Sequence, residues 1–232
     1  MIDLNADVGE GAPNDAQILA VVSSANIACG AHAGDAQTMR MTCRLAGELG
    51  VRIGAHPGYP DRDGFGRREV GLATAEITAT VASQLGALEA AAREAHARVG
   101  YVKLHGALYH RAAAETAVAA AVLDAIEAAD GPRVVLCPAG SELHSEAVRR
   151  GYRAVAEGFA DRRYAPDGSL VPRDVAGSVL SPGEAATQAV ELARGGLYAS
   201  LCLHGDGPDA AETAAAIFLA LQAAGVRRAA FA

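Results

Sequence analysis

The sequence predicts an α/β fold: a barrel of parallel strands with helices outside. Three observations carry that prediction. Short apolar or β-branched runs alternate with longer Ala-rich helical runs along the whole chain, and regular β-then-α alternation makes strands parallel and puts helices outside them. About seven such units fit into 232 residues with no Pro/Ser-rich linker or charge run to divide them, so a single barrel domain over 1–232 is expected rather than two domains. Ionisable residues also recur just past the strand ends, and in a parallel barrel all strand C-termini meet at one face, where active sites are built. A doubly wound open sheet is the alternative architecture.

The first strand is read over 2–6 and the helix after it over 15–22. Between them, Asn5-Ala6-Asp7-Val8-Gly9-Glu10-Gly11 places two acids after the strand. Asp7 suits a metal ligand or general base with Glu10 beside it, or else a loop residue capping the next helix. The second strand, 24–28, contains Asn26 and runs into Cys29, His32 and Asp35 before a helix over 37–49. Asp35 reads as the N-cap of that helix, and Cys29, with no activating partner in view, as a buried inert thiol. The third strand, 52–55, delivers His56 into a long loop before a helix over 74–97. Long ordered loops at this face are usually functional. This one carries Arg67 and Arg68, a pair suited to clamping a carboxylate or phosphate.

The fourth strand, 101–104, carries Lys103, with His105 two residues on. Alternation sends both to one face, and a charged pair facing a barrel interior is costly unless it is paired or used. A helix over 113–129 follows, then a strand over 133–137, a helix over 142–149 and a strand over 154–157 leading to Phe159, Asp161 and Arg162. Ser181 and Pro182 open a helix over 182–194, as a cap residue and a first-turn proline should. The last unit is a strand over 198–203, then His204 and Asp206, then a helix over 208–224. The run 228–231 reads as an added edge strand, and glycines 50, 100, 151 and 225 as helix C-caps. His96, His110 and His144 lack such company and read as surface residues.

Composition narrows the function. Hydrophobic residues make up 51% and charged residues 20%, an ordered globular balance. A net charge of −7 disfavours binding to phosphate backbones or anionic membranes, and 4% aromatics without Trp offers little to stack bases on. The four cysteines form no CxxC pair, and the apolar runs are too broken by charge to span a membrane. Reduced thiols in a cytoplasmic chain are therefore expected. The basic residues are Arg throughout except Lys103, which marks that site as one where a compact ammonium is required. No HExxH, GxxxxGK[ST] or first-turn GxGxxG occurs. A metal, if held at strand ends, would draw on Asp7, His32 and His56.

Taken together, six stretches resemble the LamB/YcsF family. They are Asp3-Leu4-Asn5-Ala6-Asp7-Val8-Gly9-Glu10-Gly11, the run from Ala25 to Asp35, and Ile53 to Asp61 with Gly64-Phe65-Gly66-Arg67-Arg68. The others are Val102-Lys103-Leu104-His105-Gly106-Ala107-Leu108-Tyr109, Glu157 to Tyr164 with Gly168 and Val171-Pro172-Arg173, and Cys202-Leu203-His204-Gly205-Asp206. The resemblance spans nearly the whole chain in order. It implies a (β/α)7-type barrel of the glycoside hydrolase/deacetylase class. It also implies ATP-dependent opening of 5-oxo-L-proline to L-glutamate with ADP and phosphate, in complex with PxpB-like and PxpC-like subunits. ATP with Mg2+ would bind this chain or its partners. Leu104 and His110 depart from the family's usual Pro and Asn; Leu104 is expected to face the helices and His110 to alter the rim of the site.

Hydrolysing a lactam needs a base for water, an acid for the departing nitrogen and cations for the developing oxyanion. Asp7 or His56 is the expected base, His105 or His204 the acid, with Asp206 beside them. Lys103 with Arg67 or Arg68 would hold phosphate or carboxylate, and Glu10, Asn26, His32 and Asp161 would complete the binding set. The competing enzyme reading is a metal-dependent deacetylase or amidohydrolase acting alone. A non-catalytic binding subunit is disfavoured by the number of inward-facing ionisable groups.

Overall fold

Strand β1 (Asp3–Val8) alternates polar Asp3, Asn5 and Asp7 with apolar Leu4, Ala6 and Val8, and every one of these residues is buried. Period-2 alternation with both faces buried is the signature of a barrel strand with a polar lumen and an apolar, helix-covered outside. In the computed structural model, which describes residues 1–231, the sheet closes in chain order as β1, β2 (Ser24–Ala28), β3 (Arg52–His56), β4 (Val99–Lys103), β5 (Val134–Cys137), β6 (Arg153–Phe159) and β7 (Ser200–His204). All pairings are parallel, including the closing pair of β1 with β7. Closure settles the choice between barrel and open sheet: both would-be edge strands, β1 and β7, are paired.

The helices are α1 (Asp15–Leu19), α2 (Ala36–Glu48), α3 (Thr74–Glu94), α4 (Gly106–Ala114), α5 (Thr116–Ala128), α6 (Glu142–Arg149), α7 (Pro182–Gly195) and α8 (Ala210–Ala223). Two are capped as their sequences predict. The Asp35 side chain accepts from Thr38 N at 2.7 Å, and Ser181 with Glu184 forms a capping box ahead of Pro182. The outer core lies between the strands' outward residues, such as Leu4, Ile27, Ile53, Val102 and Leu203, and the helices' apolar faces.

Several boundaries differ from expectation. The helix predicted over 113–129 is preceded by α4, and Glu115, in extended conformation, separates α4 from α5. Helix α3 stops at Glu94 because His96 takes the left-handed conformation (φ 54°), and Gly100, predicted as a C-cap, lies inside β4. Gly50, Gly151 and Gly225 do end helices with positive φ. Helix α8 starts at Ala210, after Pro208. The run 228–231 makes one bridge, Ile2 to Arg228, rather than a strand. Phe231 instead packs with Tyr101, Leu136 and Val155, and Arg52 donates to its carbonyl. Burying one such ring contributes roughly 1.5–3 kcal/mol. Gly54 makes room for this packing, since a Cβ there would run into the Tyr101 ring.

Candidate active site

Inside the barrel a hydrogen-bonded ladder climbs from the base toward the C-terminal mouth. Asp3 accepts from the hydroxyls of Ser23, Ser24 and Ser200. The Asn5 amide donates to Ser200 Oγ (2.7 Å), and the Asn26 amide donates both to Asn5 Oδ1 (2.7 Å) and to Asp7 Oδ1 (2.8 Å). Tyr101 closes the set, donating to Asn26 Oδ1 at 2.7 Å. Register puts Asp7 directly between Asn26 on β2 and His204 on β7. Alternation along β1 therefore raises Asp7 to the floor of a cavity of about 210 Å3, whose walls include Asp7, His56, Lys103, His105 and His204.

Lys103 is 2% exposed. Its ammonium lies 3.0 Å from Asp7 Oδ1, 3.4 Å from Glu157 Oε2 and 2.7 Å from Cys202 Sγ. Burial alone would lower its pKa, but Asp7, Cys202 and Glu157 override it and hold the group well above the ordinary lysine value. The same balance works in reverse at Asp7: burial pushes its carboxyl up, while the charges of His56 and Lys103 hold it well below the usual range. The pair is a fixed ammonium-carboxylate couple.

On the β6–β7 side, Asp161 accepts from the His204 backbone N–H (2.8 Å) and faces His204 Nδ1 at 3.0 Å. A carboxylate at Nδ1 fixes the tautomer and leaves Nε2 bare toward the cavity, 3.9 Å from Asp7 Oδ2. Phe159 stacks on the His204 ring (centroids 5.8 Å apart) and holds it in place. Three guanidinium groups, Arg67, Arg162 and Arg173, line the mouth. Asp206 receives Arg67 (2.7 Å) and Arg173 (2.9 Å) on separate oxygens, aligning both.

The β1–β4 side holds a histidine cluster. His56 Nε2 faces His105 Nδ1 at 3.0 Å, and His32 stacks flat on His105 with centroids 3.8 Å apart. Glu10 Oε1 lies 3.2 Å from His32 Nε2 and 3.4 Å from His105 Nδ1. Burial, with the charge of Asp7, pushes Glu10 well above the usual carboxylate range, and burial beside His56 lowers His32 to about 3. Gly66 (φ 64°) lets the β3 loop close on this cluster, as a Cβ there would sit 2.8 Å from His32 Cβ.

Of the residues singled out from the sequence, Asp7, His56, Lys103, His105, His204 and Arg67 line the cavity. Glu10, His32, Asn26, Asp161 and Asp206 stand directly behind that wall, each bonded to a lining residue or to the next one back. Asp206 therefore aligns arginines and does not join the cavity lining. Arg68 is not brought to the site: it pairs with Asp61 on the surface, with its side chain 65% exposed. His110 stands at the rim, as its departure from the family pattern implied. Cys29 is buried and its thiol is pushed up to about 12 by burial, an inert group. Asn5, Glu157 and Cys202 were named in the sequence only within longer motifs and given no role of their own. Strand alternation is the signal that finds them: Asn5 lies two before Asp7 on β1, Glu157 two before Phe159 on β6, and Cys202 two before His204 on β7. Arg173 was visible only as part of a longer motif.

A profile of the LamB/YcsF family matches residues 2–232. The chain is 50% identical over 242 aligned positions to the A-subunit of 5-oxoprolinase from Nocardia farcinica, covering 97% of each chain. It superposes on the lactam utilization protein of Thermus thermophilus with a TM-score of 0.90 at 39% identity, covering 99% of both. A family 4 carbohydrate esterase from Streptomyces lividans aligns with a TM-score of 0.51 at 12% identity, over 97% of this chain and 88% of that one. That likeness shows the barrel fold alone. No described helix is long and apolar enough to cross a membrane.

Proposed function

Because the chain belongs to the LamB/YcsF family from residue 2 to residue 232, we propose that it is the lactam-opening subunit of a 5-oxoprolinase, hydrolysing 5-oxo-L-proline to L-glutamate. The observation that carries this reading is a small cavity holding a carboxylate-oriented histidine, a buried ammonium and three arginines together. At about 210 Å3 it suits a five-membered lactam acid, and it falls below the roughly 300–1,000 Å3 of pockets for larger ligands. No glycine-rich phosphate cradle accompanies it. The reading therefore gives nucleotide binding to PxpB-like and PxpC-like partners, and ATP enters as the driving force of the complex.

The chain's own residues then divide the work. Arg162 and Arg173, with Arg67, hold the substrate carboxylate at the mouth. Lys103 points its ammonium at the lactam carbonyl and stabilises the oxyanion that forms there. His204 Nε2, bare because Asp161 occupies Nδ1, takes a proton from the attacking water. It returns that proton to the ring nitrogen as the C–N bond breaks, so one residue serves as base and then acid. Asp7 stays ionised, anchors Lys103 and stabilises the transient His204 imidazolium. This selects His204 from the two expected acids. It gives the base role to neither Asp7, held too acidic to accept a proton readily, nor His56, which faces His105.

The test is glutamate release from 5-oxoproline by this chain with its partner subunits, with and without ATP, and by the chain alone. Glutamate formed only by the complex and only with ATP is the expected result. No glutamate from a verified folded complex overturns the reading.

A further inference from the structure

Two ring nitrogens in the cavity wall face each other in a way that neutral histidines do not tolerate. His56 Nδ1 lies 2.8 Å from the carbonyl oxygen of Lys103, and His105 Nε2 lies 2.8 Å from that of Phe65. A carbonyl only accepts, so each ring carries its proton on that nitrogen. With both rings neutral, His56 Nε2 and His105 Nδ1 are then bare, and they stand 3.0 Å apart with the rings at 88°. Two lone pairs at that distance repel unless a positive species, a second proton on one ring or a metal ion, sits against both. Phe65, whose carbonyl fixes His105, is a non-glycine residue in the left-handed region (φ 53°).

Carboxylates close around the same point. Glu10 Oε1 is 3.4 Å from His105 Nδ1 and 3.9 Å from His56 Nε2, and Asp7 Oδ2 is 3.4 Å from His56 Nε2. An ion bound at about 2.0–2.2 Å to nitrogen and oxygen sets neighbouring donor atoms roughly 3.0–3.5 Å apart, which most of these separations already satisfy. His56, His105 and Glu10 side chains are all under 5% exposed. Backbone carbonyls on the far nitrogens are the outer partners that metal-bound histidines ordinarily have.

We propose that His56 Nε2, His105 Nδ1 and the Glu10 carboxylate hold a divalent first-row transition ion, with an open position toward the cavity. Two imidazoles and a carboxylate suit zinc, with cobalt, nickel or manganese as substitutes. An open fourth position distinguishes a catalytic site from a structural one. His32 is not a ligand in this set. Its ring is parallel to His105 within 1° and stacked on it, so one ion cannot lie in both ring planes. Instead its Nε2, 3.2 Å from Glu10 Oε1, positions the carboxylate. The donor set thus differs from the Asp7, His32 and His56 expected from the sequence, and it is independent of which substrate the cavity takes.

The experiment titrates Zn2+ and Co2+ into chelator-stripped full-length chain, by calorimetry and by the Co2+ visible spectrum. His105→Ala, the near-isosteric Glu10→Gln and Cys202→Ser are titrated in parallel, with circular dichroism to verify folding. One ion per chain is expected. Binding should vanish in His105→Ala and weaken at least tenfold in Glu10→Gln, since even outer-partner losses cost 10- to 100-fold. Cys202→Ser should bind as the parent does. No saturable binding, or binding unchanged in Glu10→Gln and His105→Ala, overturns the proposal and leaves a shared proton between the two rings. Binding lost only in Cys202→Ser overturns it too, because it moves the ion to the separate trio of Asp7, Cys202 and His204.

Discussion

Replacing Asp161 by Asn tests the proposed proton-transfer role of His204 with almost no change of shape. Asp161 is 4% exposed and both its oxygens face His204: Oδ2 accepts the backbone N–H at 2.8 Å, and the two oxygens lie 3.0 and 3.1 Å from Nδ1. An Asn keeps one oxygen for the backbone N–H and turns its amide NH2 toward Nδ1. That contact is favourable only when Nδ1 is bare, so the ring proton moves to Nε2, the atom that must accept the proton of water. The same tautomer reversal in a histidine-aspartate catalytic pair drops turnover about 10^4-fold, or about 5.4 kcal/mol of barrier. KM should stay within about threefold, because Asp161 does not line the cavity, and the melting temperature within about 4 °C for a cost near 1 kcal/mol. The variant should also lose part of the acid limb of the stability curve. The Asp161 carboxyl, which burial would raise, is held below its ordinary value by the charge of His204 and the bonds from it. A depressed folded pKa contributes stability above the unfolded value that disappears as pH falls through the folded one. The assay is glutamate release by the reconstituted complex, with nitrogen NMR of His204 to read the tautomer. Turnover within tenfold of the parent, with the proton shown to have moved to Nε2, refutes the role given to His204.

Lys103→Met should leave Glu157 buried without its cation and Asp7 with only Asn26 and the facing histidines, costing about 3–5 kcal/mol of stability and abolishing turnover. Lys103→Arg should not rescue it, and an Arg variant with parental turnover and melting temperature would show that the compact ammonium is unnecessary. Arg173→Ala removes a charged donor from the mouth, so KM for 5-oxoproline should rise about 10- to 100-fold, the equivalent of roughly 1.5–3 kcal/mol, with kcat little changed. Arg68→Ala, by contrast, breaks only the surface pair with Asp61 and should leave both constants unaltered; a raised KM there would reinstate it at the site. Gly54→Ala drives a methyl into the Tyr101 ring and should lower the melting temperature by several degrees, as overpacking of about 1–3 kcal/mol does, which a thermal melt reads directly.

The strand-helix order and the convergence of Asp7, His56, Lys103, His105 and His204 were legible in the sequence, because polar residues at equivalent offsets from strand ends have few structural explanations. The vertical order of the site was not. Reading β1 as ending at residue 6 put Asp7 in a loop, whereas the strand continues to Val8 and Asp7 is a lumen residue at the level of Asn26 and His204. Polar lumen positions in β1 look like strand breakers until the alternation Asp3, Asn5, Asp7 is taken over its full length. Arg67 and Arg68 are adjacent and chemically identical, and one-dimensional spacing says nothing about which of them turns inward. The Phe65 ring under the Arg67 guanidinium (4.8 Å) and the Asp61 carboxylate beside Arg68 decide it. Likewise α4 was hidden because Gly106 (φ 54°) reads as a loop residue although it opens the helix.

The placement of the site in the lumen, not on the loops alone, explains how so many charges are held at one point. Asp7, Lys103, Glu157 and Cys202 project from four strands of a closed sheet, so their separations are fixed by ladder register and not by loop closure. Below them Asn26 donates to Asp7 and to Asn5, Asn5 donates to Ser200, and Ser200 donates to Asp3, a continuous chain of hydrogen bonds. A half-satisfied polar network of this depth would cost more than an apolar core. Preorganised dipoles, however, do their electrostatic work at a developing charge without having to reorganise when the reaction occurs. The loops contribute what must meet the solvent and the substrate, Arg67 from β3–α3 and Arg162 and Arg173 from β6–α7, and helix α4 adds the rim residue His110. Substitutions in the ladder should therefore lower turnover and stability together, while substitutions at the rim should move KM and selectivity with the melting temperature unchanged. A rim variant that melted early, or a ladder variant such as Asn26→Ala with parental stability, would contradict that division.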